Sequence, residues 1–215
     1  MKKVKQFPVY TSTHPNAIAT YHASNVVLAG HSNASCVYES KTRSRAVGHF
    51  FVSNNTEYPS NNGSVLTVAM TINAVMSSTT EAELGDLFIN YCKAIPAHQS
   101  LKEMGHKQPT TPMQKFNISS YGFVTNNISS KHLKSMDMRI HRLRCRALQG
   151  HLRHVWQPGP TNLGDHITKH HAEIQNLIVR PTFLMPIQHL DLLRKQALQT
   201  HSNLKLQDTY IARVR

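Results

Sequence analysis

The 215-residue chain is long enough for one ordinary domain with extensions and a substantial buried core. Its 24 lysines and arginines against 11 acidic residues give a net charge of +13 with neutral histidines, which favours a polyanionic partner without bearing on fold. Cys36, Cys92 and Cys145 are isolated, so neither a disulfide framework nor a zinc module is indicated, and an intracellular setting, cytoplasmic or nuclear, is expected.

In chain order, residues 1–21 read as a lead-in, helical at most, interrupted by Pro8 and Pro15. No apolar stretch follows its lysines, and none in the chain reaches membrane length, so no membrane partner is expected. Strands are predicted at 26–32, 46–53 and 64–71. The first ends in a polar turn around His31 to Ser35. The other two are joined by an Asn/Ser/Gly/Pro-rich loop that suits a hairpin. A helix starts at Ser78, an N-cap, with Glu81 placed to complete a capping box on the cap's own N–H. Glu83 borders the apolar stripe Leu84, Leu87, Phe88 and Tyr91, as either a solvated edge residue or a ligand. This helix is expected to stop near Pro96, with a second piece over 97–104 closed by Gly105.

A strand at 111–117, a short mixed segment to 127, a helix at 135–149, a strand at 151–157 and a helix from about 161 complete the pattern. On the 135–149 helix, Met136, Ile140, Leu143 and Ala147 form an apolar face. Arg139, Arg142 and Arg146 share the adjoining one, flanked by Lys131, Lys134 and Arg153. Such a row tracks phosphates or is merely solvated. His166 and His170 have a metal-compatible spacing, yet no acid or sulfur stands at zinc-like distance from them, so they and His31 are assigned to surface or packing roles. Trp156 is assigned to the core, and Ser35 and Cys36 have no base placed beside them. Beyond residue 171, Ile187, Leu190, Leu193 and Ala197 hint at one more helix.

Four segments in order carry a resemblance: Ser32-Asn33-Ala34-Ser35, Ser78-Thr79-Thr80-Glu81-Ala82-Glu83, Lys115-Phe116-Asn117-Ile118, and Asn162-Leu163-Gly164-Asp165 leading to Thr168-Lys169. They resemble the ribonuclease H domain at the end of copia-type retrotransposon Pol polyproteins, which writes S-D-A-S, S-x-x-E-A-E, T-D-N-S and N-L-A-D-x-x-T-K. Met104-Gly105-His106, Met136 to Arg139 and Trp156 to Gly159 agree as well, and residues 10–21 look like the connection out of a reverse transcriptase. The likeness spans roughly residues 4–171. It implies an α/β, ribonuclease H-like fold with a five-stranded mixed sheet flanked by helices over 22–171, a lead-in before it and an extension over 172–215.

The same resemblance implies Mg²⁺-dependent cleavage of RNA in RNA–DNA hybrids by four carboxylates, at positions 33, 83, 116 and 165. Here those positions hold Asn33, Glu83, Phe116 and Asp165. Two Mg²⁺ ions need anionic oxygens to sit about 4 Å apart, and a neutral amide and a phenyl ring supply too few. The expectation is a degenerate domain, not an enzyme, with Glu83 and Asp165 as remnant ligands, no tightly held Mg²⁺, and weak binding to RNA–DNA hybrid or other nucleic acid. Two alternatives stand beside it. One is an active nuclease rescued by Asp86, one turn after Glu83; the other is a domesticated interaction protein that engages retroelement proteins.

Overall fold

A computed structural model describes residues 21–39, 42–115, 117–125, 136–157, 162–168 and 173–179, with Ser12, Ala19, Thr182 and Phe183 as single positions. Ten elements follow one another: β1 (Val27–Glu39), β2 (Arg43–Ser53), β3 (Ser64–Thr71), α1 (Thr79–Glu103), β4 (Thr111–Lys115), α2 (Ile118–Val124), α3 (Asp137–Leu148), β5 (Leu152–Trp156), α4 (Leu163–Thr168) and α5 (Glu173–Val179). They divide between two units. Residues 22–170 hold the sheet, and 1–21 together with 171–215 form the second, whose only described helix is α5. Among the described residues no helix is long and apolar enough to cross a membrane.

The sheet runs in the order β3-β2-β1-β4-β5. β1, β2 and β3 pair antiparallel, as a hairpin-linked run must, while β4 joins β1 and β5 joins β4 in parallel through helical crossovers. The β2–β3 loop is tied by Asn62, whose amide donates to the carbonyls of Val52 at 2.8 Å and His22 at 3.0 Å. α1 and α3 lay Leu84, Leu87, Ile140 and Leu143 on Leu28, Phe50 and Met113 of the sheet.

β1 is longer than the sequence suggests. Residues 31–35 continue the strand through the middle of the sheet instead of turning. Side chains alternate between faces along a strand, and here both faces are covered. Ser32 reaches α1 on one side, while His31 and Asn33 reach α4 on the other. Its polar residues are therefore buried, with long-range partners, and no apolar alternation marks the strand.

α1 also corrects the prediction, running unbroken through Pro96 to Glu103. The proline removes one helical bond. Packing on both sides of it holds the helix: Ala94 is fully buried, and His98 meets Thr111 at 2.9 Å between its Nδ1 and the hydroxyl. Ser78 caps α1 as expected, accepting from the Glu81 N–H at 3.2 Å. The Glu81 carboxylate reaches one residue farther back than a capping box would, to the N–H and hydroxyl of Ser77, both at 2.8 Å. Gly105 has φ +90°, a left-handed stop after the helix. The segment after β4 contains a helix, α2, capped by the Asn117 side chain on the Ser120 N–H. Trp156 is 43% exposed and not core, because it ends the edge strand β5, whose buried positions are Leu152 and Val155. Phe116, Lys131, Lys134, His170 and the hinted helix near 187–197 lie outside the described residues.

Gly48 on β2 lies under Asn90 of α1. A Cβ there would fall 2.1 Å from the Asn90 side-chain oxygen, so the helix can sit at this depth only over a glycine. We expect Gly48→Ala to cost about 3 kcal/mol in urea denaturation, combining overpacking with the loss of Asn90's hydrogen bonds. An unchanged midpoint would mean that the α1–β2 contact is looser than described.

Candidate functional site

Around residues 32–34 of β1, four elements place polar side chains: Ser32 and Asn33 from β1, Glu83, Asp86 and Asn90 from α1, Lys115 from β4, and Asp165 and Thr168 from α4. All but Asp165 are essentially buried.

Glu83 is 1% exposed, so the solvated-edge alternative is excluded. Its Oε1 accepts the Ala34 N–H at 3.3 Å, and its Oε2 lies 2.8 Å from the Lys115 ammonium. Lys115 Nζ also donates to the Glu83 main-chain carbonyl and stands 3.8 Å from Asp86 Oδ2. The ammonium is thus held inside the acid pair. In the sequence Lys115 stands as a positive charge beside position 116, with nothing to give its direction. Five consecutive buried residues in β4 leave no alternation from which to read one.

Both oxygens of Asp86 are engaged by neighbouring elements. Its Oδ1 accepts the Val47 N–H at 2.9 Å and the Asn90 amide at 2.8 Å, and its Oδ2 accepts the Ser32 hydroxyl. It anchors α1 to β1 and β2. Burial pushes its pKa up to about 7, with Lys115 pulling the other way and Glu83 adding to the rise.

Asn33 faces α4. Its Nδ2 donates to Asp165 Oδ1 at 3.1 Å and to Thr168 Oγ at 2.7 Å, while its Oδ1 finds no partner among the described residues. An ionised carboxylate at position 33 could not donate these bonds and would repel Asp165. α4 is seated by the backbone too. Leu163 N–H donates to Nδ1 of His31 at 2.8 Å, and the Asn162 amide donates to the Ser32 carbonyl at 3.2 Å. A Cβ on Gly164 would lie 3.0 Å from that of Asn33, so the glycine permits this close approach. Glu83 and Asp165, the two remnant acids, are thus reached from neighbouring residues of β1, Ala34 and Asn33, and each is engaged by a protein group.

This donor set does not suit Mg²⁺, which takes hard anionic oxygens in octahedral array. One carboxylate already holds an ammonium and the other an amide N–H. Among the described residues no three His, Cys, Asp or Glu side chains gather into a ligand group.

The arginines lie apart from this centre. Arg142 is exposed and Arg139 and Arg146 are half-buried on α3, beside Phe88 of α1. Arg153, on β5, donates from Nη2 to the carbonyls of Thr56 at 2.7 Å and Glu57 at 3.3 Å. His166 is half-buried, and the three cysteines are free, with Cys92 and Cys145 exposed.

No family model and no curated protein matches the chain. Two solved structures are similar: LC11 RNase H1, isolated from compost by a metagenomic approach, at 11% identity and TM-score 0.48, and RNase H1 from the halophilic archaeon Halobacterium salinarum NRC-1, at 12% and 0.39. Each match covers 66% of this chain and 92% of the other. The mixed five-stranded sheet with flanking helices is the architecture that the resemblance to ribonuclease H domains implies.

Two measurements check the site's electrostatics. Lys115→Met leaves the Glu83 carboxylate buried without its cation and should lower stability by about 3–5 kcal/mol; a loss below ~1 kcal/mol would mean that the ion pair is solvated. The second concerns acid. Burial is the main cause that lowers His31 to about 3, His49 to about 4 and His154 to about 3, aided at His31 by His49 and at His154 by Lys115. In the unfolded chain these histidines bind protons near pH 6.5, so their contribution is complete above that value and declines on acidification toward about 4. Asp86, whose folded pKa is raised, favours the folded state as pH falls, opposing them. Three protons outweigh one, so stability should drop between pH 6.5 and 5 by on the order of 2 kcal/mol per unit at most. A urea midpoint that is equal or higher at pH 5 than at pH 7 would contradict the burial of these rings.

Proposed function

We propose that this chain is a ribonuclease H-like domain of copia-type retrotransposon descent that binds nucleic acid and no longer cleaves it. The observation that carries this reading is the pairing of both remnant acids with internal groups, Glu83 with the Lys115 ammonium at 2.8 Å and Asp165 with the Asn33 amide at 3.1 Å. Hydrolysis by two metals depends on carboxylates that are open to ions and a substrate phosphate. Here a lysine supplies fixed positive charge where mobile cations would have to enter, and Phe116 stands where the resemblance calls for a further acid. The rescue alternative through Asp86 draws no support from its surroundings, since both of its oxygens already accept hydrogen bonds from β1, β2 or α1.

Binding is supported by the net charge of +13 and by the arginines of α3. RNA–DNA hybrid or other nucleic acid is the expected ligand, through contacts dominated by phosphate and therefore weak, sequence-tolerant and salt-dependent.

A labelled RNA–DNA hybrid, incubated with Mg²⁺ and then Mn²⁺, should remain intact with the natural chain. Asn33→Asp with Phe116→Asp should still recover little, because Lys115 would continue to hold Glu83. Adding Lys115→Thr to that pair should yield detectable cleavage. Robust metal-dependent cleavage by the natural chain, abolished by Glu83→Gln, would refute the proposal.

The binding half has its own test. Changing Arg139, Arg142 and Arg146 together to Glu should remove most hybrid affinity at low salt while leaving the fold intact. Undiminished binding by a folded triple variant would show that α3 presents only a solvated basic face.

A further inference from the structure

A cleft runs between α1 and α3, away from the Glu83–Lys115 centre. Tyr91 and Leu143 help to line it, Phe88, Ile95 and Pro96 form an apolar wall, and Arg142 and Arg146 bring charge to its edge. Among the described residues no carboxylate lines it. The guanidinium carbons of Arg139 and Arg142 each lie 5.9 Å from the centroid of the Phe88 ring, within the range of a cation–π contact. Arg139 otherwise donates to the Met136 sulfur at 3.4 Å and Arg146 to the Gln149 side chain at 3.0 Å, so none of the three is matched by an acid among the described residues.

This combination suits a ligand with a flat apolar body and a string of negative charges. A guanidinium held against a phenyl ring is a ready stacking plane, and its remaining N–H groups point charge at phosphate. An RNA–DNA hybrid can use only half of that chemistry, because its bases are paired and stacked inward. The phosphates of a duplex can touch the arginines, but its bases cannot enter an apolar cleft. An unpaired strand can do both. We propose that the α1–α3 cleft binds single-stranded nucleic acid, taking an unstacked base against Phe88 and the Arg142 guanidinium while Arg139 and Arg146 hold the flanking phosphates. This rests on the reading of the domain as a nucleic-acid binder and sharpens it: the preferred ligand is a single-stranded segment rather than the hybrid itself.

Fluorescence anisotropy at low salt tests the inference with the full chain and four probes: an oligothymidylate of about twelve residues, an abasic strand of equal length, a blunt RNA–DNA hybrid of equal length, and an acidic, phenylalanine-containing peptide of matched charge. The oligothymidylate should bind roughly tenfold tighter than the abasic strand, the effect of about one stacked base. Cys92 is exposed and lines the cleft. Cys92→Trp should fill it and erase that advantage without weakening the abasic strand or the hybrid. If Cys92→Trp does not fold, Arg142→Ala on the exposed side of α3 should reduce the same advantage several-fold. Equal affinity for the base-bearing and abasic strands would overturn the inference, since only phosphates would then be read. An undiminished advantage in the folded cleft-filled variant would overturn it too, as would tighter binding of the peptide than of the oligothymidylate. Hybrid binding that persists without any base-dependent advantage would sink this inference alone. Failure of every nucleic-acid probe at low salt would remove the binding half of the proposed function as well.

Discussion

The ammonium of Lys115 is the interaction on which the end of the sheet depends. Glu83 and Asp86 enter the same buried region from one helix, a single turn apart, where like charges repel each other far more than in water. The ammonium lies 2.8 Å from one carboxylate and 3.8 Å from the other. It also grips the Glu83 carbonyl, so charge and backbone are fixed together. Part of the strain is relieved another way. Burial raises the Asp86 pKa to about 7, which lets that group carry less than a full charge near neutrality.

From that centre the polar contacts spread to every element around it. Ser32, Asp86 and Asn90 join β1 to α1 and to the Val47 backbone of β2. On the opposite face, Asn33 and His31 receive α4, one through its side chains and the other through its first N–H. Buried polar networks of this kind are costly when any member lacks a partner, so they hold the helices in one register. In a ribonuclease H-like sheet this strand end is where carboxylates and metal would be expected from the resemblance. In this chain the same space is filled by direct protein–protein contacts, and the charge balance is internal. The arginines of α3, on which the proposed nucleic-acid binding rests, lie apart from the buried centre.

Much of the architecture was legible in the sequence, for physical reasons that can be named. β3, β5 and α1 follow local signals: short strand-forming runs, a serine cap, a glycine stop. The five-stranded mixed sheet with flanking helices matches the architecture that the resemblance implies. What was not legible depended on distance along the chain. The polar half of β1 looked like a turn because His31 is satisfied by Leu163 and Asn33 by Asp165 and Thr168, all more than a hundred residues away. Pro96 looked like a helix end because the packing that carries α1 past it lies on β4. Trp156 looked like core because its place on an edge strand is not a local property. Lys115 was visible as a charge beside a lost acid, yet its direction was set by β4 being buried on both faces.

The central claim is that Lys115 and Asn33 close the two remnant acids to metal. A crystal of the natural chain soaked in millimolar Mn²⁺ and measured for anomalous scattering tests it most directly. The account predicts no manganese peak at Glu83 or Asp165, with the Lys115 ammonium still on Glu83 and the Asn33 amide still on Asp165. A manganese ion bound by both carboxylates, with the lysine swung away, would contradict it.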